Sequence, residues 1–207
     1  MHSQLIPGLP IQSFGLCISI GVLLAWRVLS WLYKKEDMGN FLFILVFAGL
    51  IGARMTHVIE FYHEDGFDKN VLSVFQLWKG GLVFYGGLVS GAIAFLVYCF
   101  VKKLSVKAMA DLIVVVIPLA HAFGRVGCFM HGCCWGKVSS SVFAVTFPAH
   151  SPVWLAHRAS DIAPRSLGVL PVQLFEASFL LILFALLVFI YRRFGRYTTP
   201  IDRKSVV

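Results

Sequence analysis

Five stretches of the chain, at about 13–33, 40–60, 82–101, 108–130 and 172–191, are apolar almost without interruption. Each reaches the roughly 20 residues that a helix rising 1.5 Å per residue needs to cross ~30 Å of hydrocarbon. The pattern predicts an all-α, polytopic transmembrane helical bundle of about five spans. The residues ahead of the first span, MHSQLIPGLP, carry no Lys or Arg, and no small-residue cleavage site follows it. That span is therefore expected to stay as a helix and not to be removed as a signal peptide. No internal repeat or low-complexity segment divides the chain, so residues 1–207 read as one integral membrane domain. The connection at 131–171 is the longest, and at some forty residues it is long enough to be functional.

Composition removes the other classes. Of the 207 residues, 58% are hydrophobic and only 14% charged, and the mean hydropathy is +0.82. Soluble domains run nearer half apolar and a quarter charged. The net charge of +8 is topological, so no nucleic-acid partner is expected. Ten of the 18 Lys and Arg fall in the connections after the first, third and fifth spans, and only five in the alternate ones. By the positive-inside rule this puts the N-terminus outside, the C-terminus in the cytoplasm, and 131–171 on the extracytoplasmic side.

The remaining three arginines, Arg27, Arg54 and Arg125, lie inside or at the ends of spans, where an arginine costs ~2.5–3.5 kcal/mol at mid-helix. In that topology Arg54, Tyr85, Arg125, Gln173 and Glu176, from four helices, fall toward one leaflet. Arg54 alone could equally snorkel or pair for helix packing. Arg125 sits in H-A-F-G-R-V-G-C-F-M-H-G-C-C-W-G-K, residues 121–137, with Gly124, Gly127, Gly132 and Gly136 close by. Glycines permit positive φ and tight backbone approach, so a bend is expected here, with Arg125 held in it. A planar guanidinium in such a place suits a lipid phosphate, which it can grip with two hydrogen bonds. A second glycine cluster runs from Gly80 to Gly91, and taken alone it reads as close helix packing.

The five cysteines, Cys17, Cys99, Cys128, Cys133 and Cys134, form no disulfide framework. Cys128, His131, Cys133 and Cys134 offer soft ligands within seven residues. The spacing departs from separated two-residue-gap pairs, and adjacent cysteines rarely face one ion, so no metal is expected. Packing or an extracytoplasmic disulfide is the default, with a thiol nucleophile, a redox centre or an acyl thioester as the sharper alternatives. His57, His63 and His121 are taken as packed or solvated.

Residues 124–137 resemble the signature G-R-x-G-N-F-x-N-x-E-x-x-G-R of the bacterial prolipoprotein diacylglyceryl transferases, with Gly124, Arg125, Gly127, Phe129 and Gly136 on its fixed positions. Tyr85-Gly86-Gly87-Leu88 is similar to that family's H-G-G-L, and Pro171-Val172-Gln173-Leu174-Phe175-Glu176 to its P-[ST]-Q-L-Y-E. Ser13-Phe14-Gly15-Leu16 and Gly52-Ala53-Arg54 resemble its W-Y-G-L and G-[AG]-R segments, so the likeness runs along nearly the whole chain. It implies transfer of a diacylglyceryl group from phosphatidylglycerol to a lipobox cysteine thiol, with release of glycerol phosphate. This would take place at the outer leaflet of a bacterial inner membrane, with a prolipoprotein signal peptide as partner and no cofactor. It casts Arg125, Tyr85 and Glu176 as catalytic, and Arg54, Gly86, Gly87, Gly124, Gly127, Cys128, His131, Cys133, Gly136 and Gln173 as the substrate-binding set.

Several positions depart from the family pattern, and three matter most. Its Asn is Cys128, its Glu is Cys133, and its histidine before G-G-L is Tyr85, a poor base at neutral pH. The family's second functional arginine, on later spans, has no match here, and Arg158 or Arg165 would have to stand in. These departures leave a second reading open: a divergent paralogue that binds phospholipid without this chemistry or acts on another acceptor.

Overall fold

The computed structural model describes residues 13–33, 38–63, 74–75, 81–157 and 165–194. Its five long helices fall on the five apolar stretches: α1 Ser13–Leu32, α2 Met38–Glu60, α3 Phe84–Val101, α4 Val106–His131 and α6 Val172–Phe194. A one-turn helix, α5 Pro152–Ala156, interrupts the connection between α4 and α6. All five long helices are long and apolar enough to cross a membrane. The protein is a multi-pass, all-α membrane protein, and among the described residues only isolated antiparallel bridges occur outside the helices.

The side chains behave as lipid-facing helices require. Phe43, Ile59, Phe100, Ile182 and Phe189 stand exposed. In water each would forgo about 1.5–3 kcal/mol of burial, whereas against lipid tails they lose nothing. What packs the helices in hydrocarbon is then close backbone approach and satisfied polar groups.

The described residues divide into two units, one from 13–28 and 113–194, the other from 29–112. In the second unit α2 packs along α3. Small residues make the seam: a Cβ on Gly86 would overlap Thr56 Oγ1 and come 2.6 Å from the Gly52 carbonyl oxygen, and one on Gly87 would meet the Gly49 oxygen at 3.1 Å. Further along, the seam widens to take aromatic rings, with fully buried Phe41 5.0 Å from Tyr98 and 6.1 Å from Phe95 between ring centroids. α3 ends in a turn closed by Leu104 N–H to the Cys99 oxygen (2.8 Å), with Lys103 in the left-handed region at φ 54°.

In the first unit α1 lies against α4, again through glycine. A Cβ on Gly21 would stand 2.8 Å from Phe123 Cβ, and one on Gly127 3.1 Å from Cys17 Cβ. The connection between α4 and α6 is a small folded platform. Val145 and Val169 exchange backbone hydrogen bonds (2.9 and 3.1 Å), Ser139 N–H donates to the Gly168 oxygen, and Leu170 N–H to the Lys137 oxygen. Phe147, Val153 and Val169 form its buried core, with Phe129 and Trp135 packed on it. Ser151 caps α5 by accepting from Trp154 N–H at 3.2 Å.

Buried Ser166 fastens this platform twice. Its hydroxyl accepts from Phe147 N–H (2.9 Å) and donates to the Leu167 oxygen (2.8 Å). Ser166→Ala leaves the Phe147 N–H unpaired beside an apolar core, a loss expected to cost about 1–3 kcal/mol. Thermal unfolding in detergent checks it, and an unchanged midpoint would show that another group accepts the Phe147 N–H.

Candidate active site

The helix α4 continues through the glycine-rich segment without the expected bend at Gly124 and Gly127. Both residues lie inside α4, and Arg125 is a helical residue in its last two turns. The chain leaves the helix only at Gly132, whose φ of +79° is the left-handed conformation that ends helices and favours glycine. Three hydrogen bonds lock that end. Cys133 N–H reaches back to the Cys128 oxygen at 3.1 Å, and Gly132 N–H is shared between the Cys128 oxygen at 2.9 Å and the Phe129 oxygen at 3.2 Å.

Arg125 forms an ion pair with Glu176, the two side chains 26% and 40% exposed. It joins α4 to α6. The spacing from Arg125 to Cys128 is one helical step of three, so both lie on the same face of α4. Arg125 Nε is buried and has no hydrogen-bond partner among the described residues. One part of the guanidinium is therefore fixed, while Nε is left without a partner.

Gln173 lies one helical step of three before Glu176, fully buried at the start of α6. Its Nε2 donates to the Cys133 oxygen at 2.7 Å. That bond ties the beginning of α6 to the turn that closes α4 and holds the Arg125–Glu176 pair in register. Its Oε1 is buried with no partner among the described residues. Gly136 lets the returning strand of loop pass close by, since a Cβ there would run into Val172 Cγ2, and its N–H donates to the Leu170 oxygen at 3.0 Å.

The five cysteines are free. Adjacent cysteines do not diverge here: Cys134 stands at φ 61°, and the sulfurs of Cys128, Cys133 and Cys134 lie within 4.8 Å of one another. Burial first, and the neighbouring Cys128 second, push the Cys133 thiol up to about 12. A thiol so disposed is neutral at physiological pH, which counts against it as a free nucleophile. His131, in the last turn of α4, is half-buried, with Nδ1 unpartnered among the described residues. It lies outside the sulfur cluster.

The family profile described as prolipoprotein diacylglyceryl transferase matches residues 2–205. The chain belongs to this family. Among similar curated proteins are the phosphatidylglycerol–prolipoprotein diacylglyceryl transferase of Clostridium tetani, 30% identical over 180 residues covering 83% of this chain and 66% of that protein, and the second such enzyme of Clostridium perfringens, 30% identical over 177 residues covering 83% and 64%. The Rickettsia conorii enzyme is 28% identical over 189 residues, covering 87% and 67%. The chain spans about two thirds of the length of these relatives.

The transferase-family motifs thus fall in two places. Arg125, Cys128, His131, Cys133, Gly136, Gln173 and Glu176 belong to the first unit, where the ion pair and the Gln173 bond bring α4, the turn and α6 together. Gly124 and Gly127 also lie there, but a Cβ on Gly124 would meet nothing within 4 Å, whereas Gly127 is a close contact with α1. The second unit carries the other motifs. Arg54 is only 7% exposed, and it donates from Nε to the Val74 oxygen at 2.8 Å and from Nη1 to the Gly81 oxygen at 3.0 Å. It clamps the segment ahead of α3, and Val83 N–H to the Ala53 oxygen (3.1 Å) completes the clamp. Gly81 at φ +77° permits His57 to lie against it. Gly86 and Gly87 are seam residues of α2 and α3, while Tyr85 is 74% exposed, its ring 5.7 Å from that of Phe84. His63 stacks edge-on with Tyr62, and His121 is exposed. Arg165 is exposed and donates to Thr146 Oγ1 at 3.4 Å, and Arg158 lies outside the described residues.

Sequence reasoning missed Ser166 as a clamp, and it expected adjacent Cys133 and Cys134 not to face one site, whereas their sulfurs gather with that of Cys128. A signal for the turn that gathers them was present. A glycine immediately after an apolar helical run marks a left-handed helix end, and that turn folds residue 133 back over residue 128.

Proposed function

We propose that the chain transfers a diacylglyceryl group from phosphatidylglycerol to the lipobox cysteine thiol of an exported prolipoprotein, at the outer leaflet of a bacterial inner membrane. The observation that carries this is the pinned guanidinium of Arg125, with its unpartnered Nε, in the last two turns of an apolar helix. Arg125 lies six residues before the end of α4, about 9 Å along the helix, and Glu176 four residues into α6, about 6 Å. That depth is where the phosphate and glyceryl groups of a lipid meet the hydrocarbon.

The chemistry asks for little else. The lipobox thiol loses its proton, its sulfur bonds to the glyceryl carbon, and the bond from that carbon to the phosphate oxygen breaks, so that glycerol phosphate leaves. Negative charge grows on the phosphate as the C–O bond stretches. A guanidinium already in place stabilises it without reorganisation. Glu176 holds that guanidinium, and as the carboxylate nearest the phosphate it is the group to receive the thiol proton. Gln173 positions both by fixing the α6 start. The Lys and Arg distribution supports an N-terminus outside and the 131–171 platform beside the exported substrate.

Mass spectrometry of a lipobox peptide incubated with the purified protein and phosphatidylglycerol tests this reading. A diacylglyceryl mass increment on the cysteine is expected. Bound lipid with no increment would overturn the transferase and leave a lipid-binding paralogue.

A further inference from the structure

The three sulfurs at the end of α4 are gathered more tightly than packing needs. The turn that brings Cys133 N–H to the Cys128 oxygen places residue 133 back over the last helical turn. The left-handed φ of Cys134 then carries a third side chain to the same side, with its Sγ 3.6 Å from that of Cys133. A left-handed backbone at a non-glycine residue is unfavourable, and here its product is one more sulfur in the cluster.

Geometry separates the uses of such a group. Adjacent Cα atoms are 3.80 Å apart across a trans peptide, short of the 4.4–6.8 Å usual for a disulfide, so Cys133 and Cys134 are poorly placed to bond each other. Three thiolates around one ion at ~2.3 Å stand roughly 4 Å apart. The observed envelope of 4.8 Å closes to that by small side-chain rotations. Relative to the family signature, oxygen-bearing Asn and Glu positions are both sulfur here, which is a change from hard to soft donors.

From this arrangement we infer that Cys128, Cys133 and Cys134 form a three-thiolate site for a single cuprous ion. A cuprous ion is satisfied by three soft thiolates, whereas a structural zinc site takes four ligands and no fourth joins this group among the described residues. Three thiolates around a monovalent ion carry two net negative charges. The Arg125 guanidinium, three residues before Cys128 on the same face of α4, offsets part of this. Cys134 is exposed, so the ion has a path of entry.

The test uses the full chain, reduced and kept anaerobic in detergent, titrated with Cu(I) against bicinchoninate as competing chelator. One equivalent of copper is expected to leave the chelator. Cys128→Ser, Cys133→Ser and Cys134→Ser should each weaken binding by at least about 100-fold, while Cys99→Ser, a buried thiol of the other unit, should not. Cys134→Ser changes an exposed side chain and so carries the test even if the two half-buried variants fold poorly. No copper uptake, or uptake indifferent to Cys134→Ser, would overturn the site. A parallel Zn(II) titration showing tighter, Cys134-dependent zinc binding would overturn the cuprous assignment. None of these readouts depends on transferase activity.

Discussion

Arg125→Ala should lower the rate of diacylglyceryl transfer to a lipobox peptide by roughly 100- to 1,000-fold, the usual loss when a preorganised donor to developing negative charge is removed. The reasoning rests on how the side chain is held. A free arginine on a helix pays rotamer entropy each time it meets a phosphate, but this one is held by Glu176 before any lipid arrives. Arg125→Lys keeps the charge and loses the planar fork, so its activity should fall between that of Arg125→Ala and the unaltered protein. Glu176→Gln keeps a hydrogen-bonding partner at the same place while removing the carboxylate, so it separates positioning from proton transfer. If Glu176 only positions, its rate should drop less than that of Arg125→Ala and show little change with pH. If it takes the proton, the rate should fall as far and lose its acid limb. The measurement is the initial rate of peptide product by mass spectrometry, beside an unfolding curve for each variant. Arg125→Ala at the unaltered rate, in a folded protein, would remove Arg125 from the chemistry.

The spans were legible from sequence because hydrocarbon tolerates only one solution: about 20 apolar residues with all backbone groups bonded within the helix. α1, α2, α3, α4 and α6 accordingly fall where the apolar runs lie, with ends displaced by no more than a few residues. The glycines were harder, because one residue type serves three purposes here. Gly132 ends a helix, Gly86 admits a neighbouring backbone, and Gly124 does neither. Only the partner across space distinguishes them, and sequence spacing carries no record of that partner. The same limit applies to Arg54 and Arg125. Both are arginines in apolar runs, yet Arg54 donates to the carbonyls of Val74 and Gly81 as a clamp on the chain, and Arg125 keeps Nε without a partner. The 131–171 platform was legible only as a long connection. Its fold depends on side-chain to backbone bonds such as that of Ser166, which leave no periodicity to read.

Gly86→Val should destabilise the second unit by about 3 kcal/mol or more, at the upper end of overpacking costs. A Cβ at this position would overlap Thr56 Oγ1 and come 2.6 Å from the Gly52 carbonyl oxygen. The hydroxyl can be removed, but Thr56 Cβ, also 2.6 Å from the added Cβ, stays in an alanine, and the Gly52 oxygen is backbone of α2. Thr56→Ala should therefore recover only part of the loss in Gly86→Ala, leaving the helices forced apart by the Gly52 oxygen. Gly87→Ala makes the control, because its added Cβ would meet the Gly49 oxygen at 3.1 Å and Ala53 Cβ at 3.3 Å, contacts that a few tenths of an ångström relieve. Forcing α2 and α3 apart also strains the Val83 to Ala53 hydrogen bond and with it the segment that Arg54 holds. Unfolding in mixed micelles should rank the variants Gly86→Val, Gly86→Ala, Gly86→Ala with Thr56→Ala, then Gly87→Ala, from least to most stable. Full rescue by Thr56→Ala would show that the seam yields at the backbone, and that side-chain crowding alone sets the approach of these two helices.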